Sequence, residues 1–400
     1  MFSFNKKYFD KPLSHGFVSL FTGRTIVLIS SAFLGLFLPI FLFELFGQNI
    51  RLVLIYYGIG FFLYGLSVAI GARFLNRYGF KRALQTSVFL GAFFYVIFYF
   101  INQDNWRYLI PFTIITIVLY RLSFWLPYHV DFAKFSDKKN RCRQVSIFEA
   151  TRLGAGIFIP LISGYIITRF GFDVLFIISI FLYLISGIPY LSIPRTREKF
   201  SWSLKRTWQE YLSKKRRKMV LVYAARGAES VTGSIVWPIF IYQLLDGDYF
   251  QIGFISTFII AITAVMQIVM GKYFDSGTSK EKVLKWGSLF YSIGWIIKIF
   301  IATAFQVFVV GVYHNISAIF TQTPFNALNY EIMADQGHYV DEFTVLREMS
   351  IHLGTTLMLA TIFGLSFFLA IKWVFLLAAL AAFILGFLRR QEPIMEKALA

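Results

Sequence analysis

The strongest constraint in this sequence is a series of apolar stretches, each about as long as a bilayer is thick. A helical crossing of the hydrocarbon core takes about 20 mainly apolar residues. Lipid offers no hydrogen-bond partners to the backbone, so such stretches must be helices. The sequence therefore predicts an all-α polytopic membrane protein, with twelve transmembrane helices over residues 25–46, 52–72, 83–102, 107–130, 144–168, 173–193, 219–245, 250–272, 283–303, 307–329, 345–370 and 373–388.

Composition and missing motifs exclude several function classes. The 400 residues are 57% hydrophobic and 15% charged, whereas soluble domains carry about 25% charged residues. The chain has no GxxxxGK[ST] phosphate loop, no HExxH motif and only one cysteine, Cys142. ATP-driven pumping requires the phosphate loop, HExxH zinc chemistry requires the second motif, and CxxC redox chemistry requires two cysteines. We therefore expect no enzyme activity, no cofactor and no metal.

The positive charges predict the orientation in the membrane. Of the 39 lysines and arginines, 29 lie in one alternate set of loops and in the termini, and four lie in the other set. Cytosolic loops are the ones enriched in Lys and Arg. We expect a multi-pass protein of the inner or plasma membrane with both termini in the cytosol. The net charge of +18 is then topogenic, and no basic-aromatic module points to nucleic acid.

The longest basic loop mixes aromatic residues with its charges and predicts an amphipathic helix that lies on the membrane surface. It includes Phe200, Trp202, Trp208 and Tyr211. The expected organisation is a cytosolic tail of residues 1–16, a six-helix bundle of residues 17–193, a basic linker of residues 194–218, a second six-helix bundle of residues 219–388 and a cytosolic tail of residues 389–400.

The two predicted bundles share a sequence repeat. PIFLFELFG from Pro39 matches PIFIYQLLDG from Pro238, an offset of 199 residues. The same offset relates Asn76 to Asp275 and Glu149 to Glu348. Three separated matches at one offset predict six helices duplicated in parallel.

The loop between the second and third spans resembles a signature of the major facilitator superfamily, GxxxDRxGRR. The positions equivalent to the signature are Ala72, Asn76, Arg77, Gly79 and Lys81. The chain departs from it at Ala72 (Gly in the signature), at Asn76 (Asp) and at Phe80 (the first basic residue of the pair). The second half keeps Gly271, Asp275 and Lys280 but has Ser276 for the arginine. The resemblance implies secondary transport, with two bundles around a central aqueous cavity.

The same resemblance implies roles for individual residues. Members use the acid of this signature in a charge cluster that locks the cytosolic side, so Asn76 implies a weak lock in the first half and a larger part for Asp275. The fifth span, GAGIFIPLISG, resembles a bent motif common in antiporting members and keeps Pro160 and Gly164. It favours antiport and efflux.

Ionisable residues at bilayer depth are candidates for function, because each costs several kcal/mol unless it pairs or faces water. Glu149 and Glu348 lie within two turns of the cytosolic face, where the loop residues Arg77, Arg141 and Arg143 are expected to pair with them. We interpret these acids as a cytosolic gate. The predicted gate comprises Asn76, Arg77, Gly79, Lys81, Asp131, Glu149, Asp275, Glu331, Arg347 and Glu348.

Glu229 is different, since it lies about ten residues past Met219, or ~15 Å into the membrane. Arg226 shares its helix face, which leaves two roles open, an inert ion pair or a coupling site. Arg121 in the fourth span resembles, by depth, a family arginine implicated in proton coupling. Its alternative role is to bind an anionic group of the substrate together with Arg152.

The tenth span carries more hydrogen-bonding groups than a lipid-facing helix tolerates, so one face must line water or protein. They are His314, Asn315, Ser317, Thr321, Gln322, Thr323 and Asn326. Of these, His314, Asn315 and Gln322 join Arg121, Arg152, Arg226 and Glu229 as the predicted substrate and coupling residues. Lys298, near the outer end of the ninth span, is expected to extend to the interface.

The main hypothesis is a secondary transporter that moves a small solute by alternating access, with protons as a candidate coupling ion and export as the favoured direction. We expect a monomer that contacts membrane lipids. Two alternatives stay open: a lipid or amphiphile flippase of the same fold, and a transport-dead sensor or scaffold.

The charge distribution yields a first testable prediction. A cysteine placed at Ser203, in a chain whose Cys142 is replaced by serine, should not react with a membrane-impermeant maleimide applied to intact cells. A cysteine at Asp104, in the predicted outer loop, should react under the same conditions. Ready labelling at position 203 would show that the topology is inverted.

Overall fold

The computed structural model describes residues 14–135, 151, 154, 156–196, 199–274, 279–335 and 339–389. Every regular element within these ranges is helical. The N-terminal half, residues 14–193, contains α1 (His15–Gly35), α2 (Leu38–Leu45), α3 (Ile50–Tyr78), α4 (Phe80–Phe100), α5 (Trp106–Phe135), α6 (Ile159–Phe170) and α7 (Phe172–Leu191). The linker contains α8 (Leu204–Tyr211). The C-terminal half, residues 217–389, contains α9 (Arg217–Val231), α10 (Trp237–Leu244), α11 (Tyr249–Phe274), α12 (Lys280–Ile297), α13 (Ala304–Asp335), α14 (Val340–Leu365) and α15 (Phe375–Ile384).

Nine helical segments in the described ranges are long and apolar enough to cross a bilayer. The predicted fifth span lies partly outside those ranges, and α6 is its described part. The predicted seventh span is continuous from α9 to α10 through a π-helical turn, Thr232–Val236. The predicted twelfth span is the shorter apolar segment Ile371–Phe387. The all-α membrane fold is confirmed, while the count of twelve and the repeat offset stay predictions.

Helix ends follow local chemistry. The first helix begins at His15, ten residues before the predicted apolar run, because the Ser14 hydroxyl accepts a hydrogen bond from the Phe17 amide at 3.2 Å and so caps a free N–H group. Pro39 lies in the first turn of α2, where its missing N–H is not needed. Gly79 alone separates α3 from α4, and its φ of +89° is one that glycine adopts without strain.

Each half is built from helices that pack on one another. In the N-terminal half α4 packs on α5 and α7, and α1 packs on α7. In the C-terminal half α9 packs on α14 and α15, while α12 packs on α13 and α15. The approach of α9 to α14 is close enough that a Cβ added to Gly227 lies 2.0 Å from the Ile351 carbonyl oxygen. Small residues at such contacts let membrane helices approach closely.

The halves meet mainly along two helix pairs. The pair α3 and α14 makes the most extensive contact, and the pair α6 and α11 is the next between halves. In the second pair, a Cβ added to Gly164 lies 2.4 Å from the Tyr249 carbonyl oxygen, and one added to Gly253 lies 2.3 Å from that of Pro160. The Pro160 and Gly164 motif thus packs α6 backbone against α11 backbone.

This contact predicts the effect of a single methyl group. Gly164→Ala should destabilise the protein by about 1 to 3 kcal/mol, because the added carbon overpacks a backbone-to-backbone contact that has no flexible side chain to yield. Thermal unfolding of the purified protein in detergent measures the effect. Gly35→Ala is the matched control, since a Cβ there meets nothing within 4 Å. Equal melting temperatures for the two variants would contradict this account of the α6–α11 contact.

Candidate functional site

A buried carboxylate joins the two halves beside the middle of α3. Glu348 of α14 accepts a hydrogen bond from Arg347 at 2.6 Å, from Tyr64 of α3 at 3.2 Å and from His352 at 3.3 Å when that ring nitrogen is protonated. His129 of α5 lies 3.8 Å from the same carboxylate. We call these five residues the interface cluster. A buried carboxylate needs such partners, so the cluster fixes α3, α5 and α14 relative to one another.

The cluster extends into the C-terminal half. The Arg347 guanidinium donates to the Asn329 side-chain oxygen at 3.2 Å, and the Tyr223 hydroxyl donates to the same oxygen at 2.7 Å. Tyr223 and Asn329 are buried. One hydrogen-bonded network therefore connects five helices, α3, α5, α9, α13 and α14.

Glu348 does not pair as expected for a gate near the cytosolic loops. Its contacts are Tyr64, His129, Arg347 and His352, and Arg77 is not among them. Tyr64 is central in α3 and His352 is central in α14, so the carboxylate lies beside the middle of α3. Glu348 thus does not pair with Arg77, one of the expected partners, and the alternative partners Arg141 and Arg143 lie outside the described residues.

Arg121 lies beside this cluster, about midway along α5. Its guanidinium carbon is 4.1 Å from the ring centroid of Phe61, a cation–π contact. The same Phe61 ring stacks on His352 at 5.5 Å with an interplanar angle of 11°. Arg121 is thus connected through one aromatic ring to the opposite half.

A second polar cluster lies inside the C-terminal half. Arg226 donates to Glu229 at 3.0 Å, and the Tyr291 hydroxyl donates to the other oxygen of the same carboxylate. Glu229 is only 2% exposed and lies near the middle of the helical segment Arg217–Leu244. The predicted ion pair is therefore present, and it lies near the middle of this helical segment. A π-helical turn follows at once, and such turns are frequent at functional sites.

His314 and Lys298 border this second cluster. The His314 ring lies 4.5 Å from the ring of Tyr291 and 4.7 Å from that of Trp295. Lys298 is 3% exposed, with its Nζ 4.1 Å from the Trp237 ring and 4.0 Å from the Trp295 ring. The expectation that Lys298 extends to the membrane interface is wrong, because two indole faces hold its charge inside the protein.

The remaining predicted substrate and coupling residues are Asn315, Gln322 and Arg152. Asn315 and Gln322 are half-buried on α13, and Gln322 interacts with the Tyr291 side chain. Arg152 lies outside the described residues. The structure thus brings Arg226, Glu229, His314 and Gln322 together around Tyr291, and it places Arg121 at the interface between halves.

Asn76 does not take part in a charge lock. Its side-chain nitrogen donates to the Phe200 carbonyl at 2.7 Å, and its side-chain oxygen accepts from the Phe200 amide at 2.9 Å. An aspartate can only accept hydrogen bonds. Asn76, which replaces the acid of the family signature, is therefore suited to bond the linker backbone through both its side-chain nitrogen and its side-chain oxygen.

The other predicted gate residues are divided between the linker, a local ion pair and the surface. Asp131 is buried near the C-terminal end of α5, and its carboxylate accepts from the Thr196 hydroxyl. Glu331 pairs with Lys280 within the C-terminal half. Arg77 is exposed, Lys81 is half-buried, and Gly79 forms the α3–α4 turn. Glu149 and Asp275 lie outside the described residues.

The linker contacts both halves. Phe200 and Trp202 are buried, and the Trp202 and Tyr339 ring centroids are 6.4 Å apart. The Ser201 amide and hydroxyl donate to Glu342 of α14 at 2.8 and 2.6 Å. The expected position on the membrane surface is wrong for Phe200 and Trp202, because they are buried against the C-terminal end of α3 and the N-terminal end of α14.

A second contact between the halves lies at the opposite end of α3 from the linker. Glu44, at the end of α2, accepts hydrogen bonds from the hydroxyls of Tyr242 and Tyr249 in the opposite half. The structure therefore bridges the halves on both sides of the interface cluster. Sequence reasoning missed Glu44, although PIFLFELFG and PIFIYQLLDG contain both Glu44 and Tyr242.

Metal binding has no support in the described ranges, where no group of three or more His, Cys, Asp or Glu side chains is suitably arranged.

Comparison with known proteins agrees with this architecture. The family model of the Major Facilitator Superfamily matches residues 20–341. A solved peptide transporter, POT, in complex with alafosfalin has the same fold, with a TM-score of 0.65, 12% sequence identity and coverage of 93% of this chain and 92% of that chain. No curated protein matches the sequence.

The helices and the buried contacts between halves define an α-helical integral membrane protein of the transporter type. With the family model matching well over half of its length, the chain belongs to the major facilitator superfamily.

The linker contact generates a prediction. Asn76→Asp should speed hydrogen exchange of the Phe200 and Ser201 amides, because the new carboxylate loses the bond to the Phe200 carbonyl and repels that oxygen. Exchange mass spectrometry of a peptide covering residues 199–203 measures this. Arg73→Gln is the control, since Arg73 is exposed one turn earlier on α3. Unchanged exchange in Asn76→Asp would mean that the linker does not depend on Asn76.

Proposed function

We propose that this protein is a secondary active transporter that moves a small solute across the cell membrane by alternating access. The observation that carries the proposal is the interface cluster, in which Glu348 of one half is bonded by Tyr64 of the other. Carriers bind substrate near the bilayer midplane, between halves that rock about the site. Membership in the major facilitator superfamily supports the same mechanism.

The contacts on either side of the interface cluster are the candidate gates. Outside, Glu44 bonds Tyr242 and Tyr249. Inside, the linker joins Asn76 of α3 to Glu342 of α14 through Phe200 and Ser201. Both contacts cross between halves, so the outer side opens only if the first breaks and the inner side only if the second breaks. Alternation requires that they break in turn.

We further propose that the Arg226–Glu229 pair couples transport to protons. Glu229 is buried at mid-depth, and it is bonded by one charged and one neutral donor, Arg226 and Tyr291. If rocking of the halves separates Glu229 from Arg226, the carboxylate loses its charged partner in a low-dielectric site and takes up a proton. When the pair forms again, the proton is released. The π-helical turn after Glu229 gives α9 a place to bend.

Export in exchange for protons is the direction that we favour, on the resemblance of the Pro160 and Gly164 segment to antiporting members of the family. The structure gives this segment a packing role between α6 and α11. We also propose that the protein acts as a monomer and contacts membrane lipids.

Transport by Glu229→Gln tests the coupling. A thermal-shift screen of metabolites and drugs first identifies a solute that stabilises the purified protein, since a ligand at about 100 times its dissociation constant adds ~2.7 kcal/mol of stability. In proteoliposomes with an imposed pH gradient, Glu229→Gln should lose gradient-driven accumulation of that solute, because the amide mimics a permanently protonated acid. Exchange of solute for solute, which needs no net proton movement, should continue.

Glu281→Gln is the matched control, because Glu281 is an exposed acid in the first turn of α12. It should accumulate solute as the wild type does. Full gradient-driven accumulation by Glu229→Gln would make the Arg226–Glu229 pair a structural one. A ligand that binds without being moved would favour the sensor alternative, and movement of lipid alone would favour the flippase.

A further inference from the structure

The Arg121 guanidinium is partly buried, and the described part of the protein does not neutralise its charge. Its Nη1 is buried and has no hydrogen-bond partner there, and no ion pair joins Arg121 to a carboxylate of the described residues. The titratable side chains near it include Tyr56, Tyr57, Tyr64, Tyr120 and His352, none of which is an anion. A charge withdrawn from water without a partner is destabilising unless a ligand or another charge offsets it.

The acid of the interface cluster does not fill this role. Glu348 is bonded by Arg347 at 2.6 Å, by Tyr64 at 3.2 Å and by His352 at 3.3 Å. Arg347 already balances its charge. The sum over Arg121, Arg347 and Glu348 is therefore +1, and protonation of His129 or His352 only raises it.

The position of Arg121 suits a ligand rather than a structural contact. It lies about midway along α5, and its guanidinium stacks on Phe61, whose ring stacks on His352 of the other half. A guanidinium that contacts an aromatic ring through its face can still donate hydrogen bonds from the N–H groups along its edge. Carboxylates and phosphoryl groups bind that edge through two parallel hydrogen bonds.

We infer that the transported solute is a small organic anion whose carboxylate or phosphoryl oxygens bind Arg121. This inference rests on the proposed transport function and gives its substrate class. Tyr57, which stacks on Phe61 at 6.4 Å, continues the aromatic wall beside Arg121, and an apolar or aromatic body of the solute packs there. A carboxylate brings the charge sum over these residues to zero, and a phosphoryl group, with its larger negative charge, also offsets the excess positive charge. Binding therefore stabilises the contact between the halves.

One arm of the test needs no ligand. In the empty protein, Arg121→Met should melt at the same temperature as the wild type or higher, because it removes a charge that has no counter-charge. Arg347→Met is the contrasting variant, since it leaves the Glu348 carboxylate without its charged partner, and it should melt lower. If Arg121→Met is destabilised as much as Arg347→Met, Arg121 is a structural residue and the inference is overturned.

The second arm uses matched probes in thermal-shift titrations of the full chain in detergent. The anions are benzoate, phenylacetate and phenyl phosphate, and the uncharged counterparts are benzamide, phenylacetamide and phenol. At least one anion should stabilise the wild type, and its counterpart should bind about 10-fold to 100-fold more weakly, as expected when a hydrogen bond to a charged group is lost. Comparison of benzoate with phenyl phosphate separates carboxylate from phosphoryl recognition.

The variants assign the binding to Arg121. Arg121→Met should lose the anion effect, whereas Arg121→Lys should keep a weaker one, because lysine retains the charge without the planar fork. Stabilisation by no anion, or equally by the uncharged counterparts, overturns the inference. If the transport proposal fails while the anion inference holds, the protein binds anions but moves no solute in proteoliposomes. Proton-driven movement of a neutral or cationic solute, unaltered in Arg121→Lys, would leave transport standing and remove only the anion class.

Discussion

The arrangement of this protein depends on one buried carboxylate, Glu348, and on the donors that surround it. Glu348 is buried, so its charge is stable only while Arg347, Tyr64 and His352 remain bonded to it. Tyr64 belongs to α3, whereas the other two donors share α14 with the acid. The bond from Tyr64 therefore helps to set the positions of α3 and α14, the most extensive pair between halves.

Two further contacts bridge the halves with neutral donors. At one end, the Tyr242 and Tyr249 hydroxyls bond Glu44; at the other, the Ser201 hydroxyl and amide bond Glu342. A neutral donor can be exchanged for water at little net cost, whereas the charged donor Arg347 cannot. These two contacts are therefore easier to break than the central cluster.

The sequence predicted the fold well because its signals are local. Spanning length and the resemblance to the family signature each concern contiguous residues. The Arg226–Glu229 pair was predictable for the same reason, since a spacing of three places both side chains on one helix face. The α6 motif was also visible, although its role in packing against Tyr249 was not.

The sites that join distant segments were not predictable in this way. Tyr64 and His129 meet Glu348 across more than 200 residues, and neither differs in its local sequence from tyrosines and histidines that only pack. Lys298 was misplaced because two tryptophans from different helices bind it. Asn76 was taken for a weakened acid because its true partner, the Phe200 backbone, is a feature of the folded linker alone.

The folded linker gives the proposed transport cycle a point of control away from the solute. Its residues bond α3 through Asn76 and α14 through Glu342. If the halves separate at this end as we propose, at least one of these attachments must be released. By thermodynamic linkage, any molecule that binds the released linker better than the attached one stabilises that open state by the difference in free energy. A partner of the linker would then regulate transport without contacting the solute.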